Sequence, residues 1–262
     1  MRVLIKGAGD IATGIAVRLH RVHFQVVMTE IPIPTTIRRT VSFSPAVTEG
    51  IAAVEGIEAI LAPTVGCVEK MWVQGKIPIL IDPLGACAKR LEPDVLVDAI
   101  LAKKNLGTSI TDASVVIGVG PGFTAGVDCH AVVESNRGHD MGRVITQGSA
   151  APNTGVPGEI GGHSIDRVLR APRGGVFQQI LDIGAKVKRG DIVGTADGAP
   201  IISQIEGILR GVLPTGVVVT AGMKCGDVDP RCEREHCYTV SDKARAIGGG
   251  VLEAILGLCP LK

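Results

Sequence analysis

Arg2-Val3-Leu4-Ile5-Lys6-Gly7-Ala8-Gly9-Asp10-Ile11-Ala12 reads as a strand, a glycine turn and the first turn of a helix. Val3-Leu4-Ile5 is the kind of apolar run that parallel strands bury on both faces. Beyond the turn, Ile11, Ile15, Ala16, Leu19 and Val22 recur at helical spacing. Gln25-Val26-Val27-Met28-Thr29 follows as a second strand and closes at Glu30. Strand, helix and strand in this order make a βαβ unit. Further strand-like runs at Glu58–Ala62, Ile77–Asp82 and Ser114–Val119 extend the pattern into a mostly parallel sheet. Helices are expected between them, the clearest at Val95–Lys104. This α/β, Rossmann-like domain is expected to occupy about 1–125.

Composition agrees with that reading. The 262 residues are 45% hydrophobic but include one Trp, one Tyr and four Phe, so the core must be built from Val, Ile, Leu and Ala. A net charge of +1 gives no electrostatic reason to expect nucleic acid or an acidic membrane as a partner. No apolar run reaches the length of a membrane span. Met1–Gly7 reads as a strand rather than a signal peptide, so a cytoplasmic location is the expectation. Seven cysteines at irregular spacing are expected to be free thiols.

Gly7-x-Gly9-x-x-Ala12 has a specific physical logic. Gly7 permits the tight turn, Gly9 lets the backbone approach a pyrophosphate, and Ala12 lets helix and sheet pack closely. The helix N-terminus then offers its N–H groups to the phosphate. Glu30 could accept a ribose hydroxyl and would repel a 2′-phosphate. Asp10 is repulsive beside a phosphate unless it caps the helix or binds a cation. Arg38 and Arg39, beyond the second strand, could meet phosphate oxygens. NAD(P) or another nucleotide are the cofactor candidates, set against a structural turn that binds nothing.

Gly118-Val119-Gly120-Pro121-Gly122 lies at the carboxyl end of a strand, where open α/β sheets bind ligands. Gly120 and Gly122 are therefore candidate ligand contacts. Asp128, Cys129 and His130, with Glu134 close behind, supply acid, base and nucleophile chemistry and are the candidate catalytic residues. The stretch from about 126 to 165 is otherwise rich in Gly, Asn, Pro and His and reads as a functional loop region with one strand at His130–Glu134. Cys225, Cys232, His236 and Cys237 could form a Cys₃His zinc site, but no C-x-x-C knuckle is present, and buried or loop thiols are preferred.

An internal repeat follows. Gly175, Gly184 and Gly190 recur as Gly207, Gly216 and Gly222, all at an offset of 32 residues. Val176, Ile180, Leu181 and Val187 match Ile208, Val212, Leu213 and Val219 at the same offset. Two such units make a compact β-sandwich of hairpins at 166–230. The tail 231–262 ends in a helix from Ser241 to Leu258. Gly248-Gly249-Gly250 must either allow close packing there or break the helix. This apolar, glycine-rich helix could pack inside the chain or across a homo-oligomer.

Arg38-Arg-Thr-Val-Ser-Phe43, Gly120-Pro-Gly-Phe-Thr-Ala-Gly-Val-Asp128 and Arg137-Gly-His139 together resemble the YqeB family. So do Pro152-Asn-Thr-Gly-Val-Pro-Gly158, Gly226-Asp-Val-Asp-Pro-Arg231 and Ser241-Asp-Lys-Ala-Arg-Ala-Ile-Gly-Gly-Gly-Val-Leu-Glu253. The resemblance runs from Met1 to about Leu258. It implies an accessory role in the maturation of selenium-dependent molybdenum hydroxylases, relatives of xanthine dehydrogenase, with the hydroxylase or its maturation machinery as partner and a molybdopterin-type cofactor as a further candidate ligand of the glycine turn. It leaves open whether the chain is an enzyme. The alternatives are an NAD-dependent oxidoreductase and a non-enzymatic scaffold that docks the hydroxylase. The 175–226 repeat also resembles a biotinyl/lipoyl-type barrel-sandwich. Its hairpin tip, Asp197-Gly198-Ala199-Pro200, carries no lysine for attaching biotin or lipoate.

Overall fold

The computed structural model describes residues 1–259. The chain forms two compact units. The first takes Met1–Pro34, Ser42–Thr154 and the chain from Val240 onward; the second takes Thr35–Val41 and Gly155–Thr239. The expected boundary near 125 is therefore replaced. The 126–154 stretch adds strands to the first sheet, the last helix returns to the first unit, and Arg38 and Arg39 fall in the second.

The first unit is built on a nine-stranded sheet. Its strands are β1 Arg2–Lys6, β2 Gln25–Glu30, β3 Ile51–Val54, β4 Ile57–Leu61, β5 Ile77–Ile81, β6 Val95–Asp98 and β7 Val115–Val119. A short strand, β8 Thr124–Ala125, precedes β9 Ala131–Val133 and β10 Val144–Ile145, and β11 Gly148–Ser149 pairs with β8. The order in the large sheet is β10-β9-β7-β6-β1-β2-β5-β4-β3. Pairing is parallel from β4 through to β9, with an antiparallel strand at each edge.

Alternation along the strands explains the layers. Val3, Ile5, Val26, Met28, Val97 and Ile117 enter one core, packed beneath α1 (Asp10–Arg21) and lined also by α2 (Ala46–Glu49). Leu4, Val27, Leu96 and Val116 enter the other, shared with α3 (Val68–Val73) and α4 (Ala88–Leu91). This alternation also corrects one expectation. The helix foreseen at Val95–Lys104 is strand β6 followed by a loop, because Val95 and Val97 must fill one core while Leu96 fills the other. A helix would fan these three consecutive residues around its circumference rather than alternate them between two opposite cores.

The last helix, α5 (Asp242–Leu258), is unbroken, with the Ser241 hydroxyl accepting the Ala244 N–H at 3.2 Å. Its glycines serve close packing. A Cβ on Gly248 would meet the Gly14 carbonyl of α1 at 3.2 Å, and one on Gly250 would overlap the Gly142 carbonyl. Gly14 answers from the other side, since its Cβ would lie 2.6 Å from that of Ala244. No helix among the described residues is long and apolar enough to cross a membrane.

The second unit contains β12 Val168–Arg170, β13 Gly175–Gln179, β14 Lys186–Val187, β15 Ile192–Ala196, β16 Ala199–Ile202, β17 Gly207–Val212, β18 Val218–Val219 and β19 Lys224–Asp229. They form two four-stranded sheets, β12-β19-β17-β14 and β16-β15-β13-β18. The repeat is visible in the register. Gly175 pairs with Val219, and their counterparts 32 residues away, Gly207 and Val187, pair with each other. The two halves thus exchange strands. Their turn glycines share conformation, φ 92° and 97° at Gly184 and Gly216, and 98° and 79° at Gly190 and Gly222. Burial breaks the symmetry: Val176 and Ile180 are exposed, whereas Ile208 and Val212 are buried. The outer face of β17 is covered by the 35–41 segment, whose Ile37 carbonyl accepts the Val212 N–H at 2.8 Å.

Candidate functional site

The parallel strands reverse their order of addition beside β1. The chain adds β2 on one side, and later β6 on the other. The carboxyl ends of β1 and β6 therefore flank the crevice where open α/β sheets bind ligands. Gly7, at φ 94°, donates its N–H to the Thr29 carbonyl at 2.9 Å. A Cβ there would lie 3.2 Å from the Ala99 carbonyl. Gly9 is the N-cap of α1, and no side-chain hydrogen bond caps the helix from that position. Ala12 is buried against the sheet, and Asp10 is the first helical residue.

Glu30 bends back onto the turn. Its carboxylate accepts the Ala8 N–H at 2.9 Å and the Ile31 N–H at 2.8 Å. Burial is the dominant influence and raises its pKa above the ordinary value, against the two amides, which lower it. The turn is braced from below. Thr13 donates its hydroxyl to the Ala8 carbonyl and accepts the Phe43 N–H, and Ser44 donates its N–H to the Ala8 carbonyl.

Three residues at this crevice carry a polar cluster that sequence reading missed. Lys6 ends β1 and Asp98 ends β6, side by side in register. Lys6 Nζ donates to Thr108 Oγ1 at 2.7 Å and lies 3.5 Å from Asp98 Oδ2. The Thr108 hydroxyl donates to the same carboxylate oxygen at 2.6 Å. All three are buried. Asn105 clamps the loop that brings Thr108 in, accepting the Gly107 and Thr108 N–H groups and donating to the Thr108 carbonyl. The signal available was a Lys and an Asp each ending an apolar run, which parallel pairing alone makes neighbours.

The Gly118–Gly126 loop is filled by its own chain. A Cβ on Gly118 would meet the Phe123 ring at 2.5 Å, and one on Gly122 would meet Lys104 Cα at 2.6 Å. Gly120 hands its N–H to the Val133 carbonyl at 2.9 Å. These glycines are needed for close approach of backbone to side chain and backbone. Asp128 accepts the Thr124 N–H at 2.8 Å. His130 Nδ1 accepts the Val116 N–H at 3.0 Å. Cys129 is fully buried, and that burial pushes its thiol up to about 11. The three are consecutive in the chain, yet Asp128 Oδ2 and His130 Nδ1 both accept backbone N–H groups. A nucleophilic role for Cys129 has no support in that geometry.

Arg38 and Arg39 are committed within the second unit. Arg38 donates to the His236 carbonyl at 3.0 Å. Arg39 donates to the Val212 carbonyl at 3.0 Å and to Gln179 Oε1 at 2.8 Å. Arg38 shares the His236 carbonyl with the buried Arg210, which donates to it at 3.3 Å and lies 3.4 Å from Asp229. Burial, and after it the Arg38 guanidinium, lowers Arg210 to about 10. Among the described residues no three His, Cys, Asp or Glu side chains meet as a metal cage. Cys225 and Cys237 are buried while Cys232 is exposed.

YqeB of Escherichia coli (strain K12) is 50% identical to this chain over 256 residues, or 98% of its length. The chain belongs to the YqeB family. It spans about half, 47%, of that relative's own length. No family profile matches it. Among solved structures, a succinylglutamate desuccinylase from Silicibacter sp. TM1040 is 13% identical, covers 87% of this chain and 84% of its own, and has a TM-score of 0.27. An aspartoacylase family protein from Mesorhizobium loti is 10% identical over 78% of this chain and 55% of its own, with a TM-score of 0.26. Superpositions this loose carry no argument. In this YqeB chain the Arg38-Arg39 pair and the 226–231 motif that carry the family likeness meet in one unit. Asp229 holds Arg231 at 2.6 Å, and Asp227 pairs with the buried Arg167.

Proposed function

We propose that this YqeB-family chain binds a nucleotide, or the nucleotide-like end of a molybdopterin-type cofactor, at the Gly7–Ala12 turn. On this reading it serves the maturation of selenium-dependent molybdenum hydroxylases as an accessory protein. The observation that carries the binding step is the N-terminus of α1, capped by a glycine without a side chain, at the switch point of a parallel sheet. A phosphate there would take the first-turn N–H groups and the positive end of the helix dipole. Glu30 is held in place by the Ala8 and Ile31 amides, so its carboxylate is fixed at the end of β2 where a ribose hydroxyl would reach it. That favours NAD over NADP among dinucleotides. Lys6 supplies a buried cation one residue before the turn. The second unit, with its exchanged strands, reads as a barrel-sandwich of biotinyl/lipoyl type. Its β15–β16 tip, Asp197-Gly198, offers no attachment lysine, so it serves as a docking module.

The test is isothermal titration with NAD, NADP, ATP, CTP and FAD, using Gly9→Val as control. One ligand that binds wild type and is lost in Gly9→Val supports the reading, and its identity separates a redox from a nucleotide-cofactor role. Hydroxylase activity that is unchanged when the protein is deleted from a cell would sink the accessory role.

A further inference from the structure

A groove of about 270 Å³ runs along the C-terminal half of α1 and the start of α5 in the first unit. It is lined by three arginines, Arg18, Arg21 and Arg245, and by Gly14, Val17, Val22 and Val240. Three guanidiniums around one space repel one another unless acids offset them. Glu55 is the carboxylate that reaches them, at 3.0 Å from Arg21 and 2.6 Å from Arg245. Glu55 is rigidly placed. It sits at φ 48° in the Glu55-Gly56 turn between β3 and β4 and also accepts the Val240 N–H at 3.0 Å. Burial raises its pKa, but the Val240 N–H, and after it Arg245 and Arg21, bring it below the ordinary value.

Arg18 has a different fate. It donates one N–H to the Arg245 carbonyl at 3.2 Å, and no carboxylate among the described residues pairs with it. A Cβ on Gly248 would lie 3.5 Å from Arg18 Nε, so the guanidinium lies along the glycine stretch of α5. The groove therefore holds two positive charges beyond what Glu55 offsets, together with three lining valines. Arg18 is eight residues from Asp10 along α1, a rise of roughly 12 Å, so one phosphate cannot engage both this groove and the glycine turn.

We propose that this groove binds a phosphomonoester carried on a small apolar body. A phosphate dianion matches the two uncompensated charges and the forked geometry of guanidinium groups. The valines receive the body, and the volume suits a single ring rather than a dinucleotide. The inference is independent of ligand binding at the glycine turn.

Isothermal titration of the full chain at low salt tests it, with phenyl phosphate, inorganic phosphate and benzoate as probes. Phenyl phosphate should bind tighter than the other two. Arg18→Gln should weaken it about tenfold or more, and Gly9→Val should leave it unchanged. Arg18→Lys, which keeps the charge and loses the fork, should fall between. Phenyl phosphate that binds no tighter than inorganic phosphate overturns the proposal, as does an Arg18→Gln variant that binds like wild type. Binding lost in Gly9→Val and kept in Arg18→Gln assigns the probe to the glycine turn and also overturns it.

Discussion

At pH 8 a thiol whose pKa lies near 11 is ionised in about one molecule in a thousand, which removes it from nucleophilic chemistry. Burial holds Cys129 at about 11 and Cys87, which also faces the Asp82 carboxylate, at about 12. Cys232 is exposed. Iodoacetamide at pH 8 should therefore label Cys232 first, and Cys87 and Cys129 only once denaturant opens the chain, as peptide mass spectrometry would read. Labelling of Cys129 at the rate of Cys232 would return it to the set of reactive groups. The same scale explains what sequence reading saw and missed. Asp128, Cys129 and His130 were legible as reactive types, but type says nothing of burial or of which backbone amide each side chain serves. Lys6, Asp98 and Thr108 were hidden for the opposite reason. Lys6 is far from the other two in the chain, and parallel pairing with β6 plus the loop after it bring the three together.

Glycines in α5 divide by what a methyl group would meet. Gly249 has only the end of the Arg18 side chain nearby, 3.9 Å from a built Cβ. Gly250 faces the Gly142 backbone with no room for one. Gly249→Ala should stabilise the protein by about 1 kcal/mol through helix propensity. Gly250→Ala should destabilise it by about 1–3 kcal/mol through overpacking. Urea denaturation at matched conditions checks both, and equal effects of the two would refute the packing assignment. The sequence posed this as packing or breakage. The neighbours across the fold, Gly14 and Gly142, decide for packing. For β6 the sequence misled, because a short Val-Leu-Val run fits a strand or a helix. Only the presence of a core on both faces separates the two.

At the scale of the molecule, the chain crosses between the two units more than once. The second unit includes Thr35–Val41, which supplies the Ile37 carbonyl to Val212 and the Arg38 and Arg39 contacts to Val212, Gln179 and His236. A 155–239 fragment lacks those partners for buried backbone and side chains. It should show weaker protection of the Val212 amide in hydrogen exchange than the full chain, and adding a 35–41 peptide should restore part of it. Protection equal to that of the full chain would mean the segment is dispensable. Local pattern determined much of this protein: the βαβ start, the glycine turn with Glu30, the capped last helix and the 32-residue repeat all follow from spacing between near neighbours. Tertiary structure alone decided the rest. Which strand lies beside β1, that the repeat exchanges strands, and that Arg38 and Arg39 bond within the second unit all depend on residues far apart in sequence. Burial then sets the charge state and reach of each candidate side chain, and no local pattern encodes it.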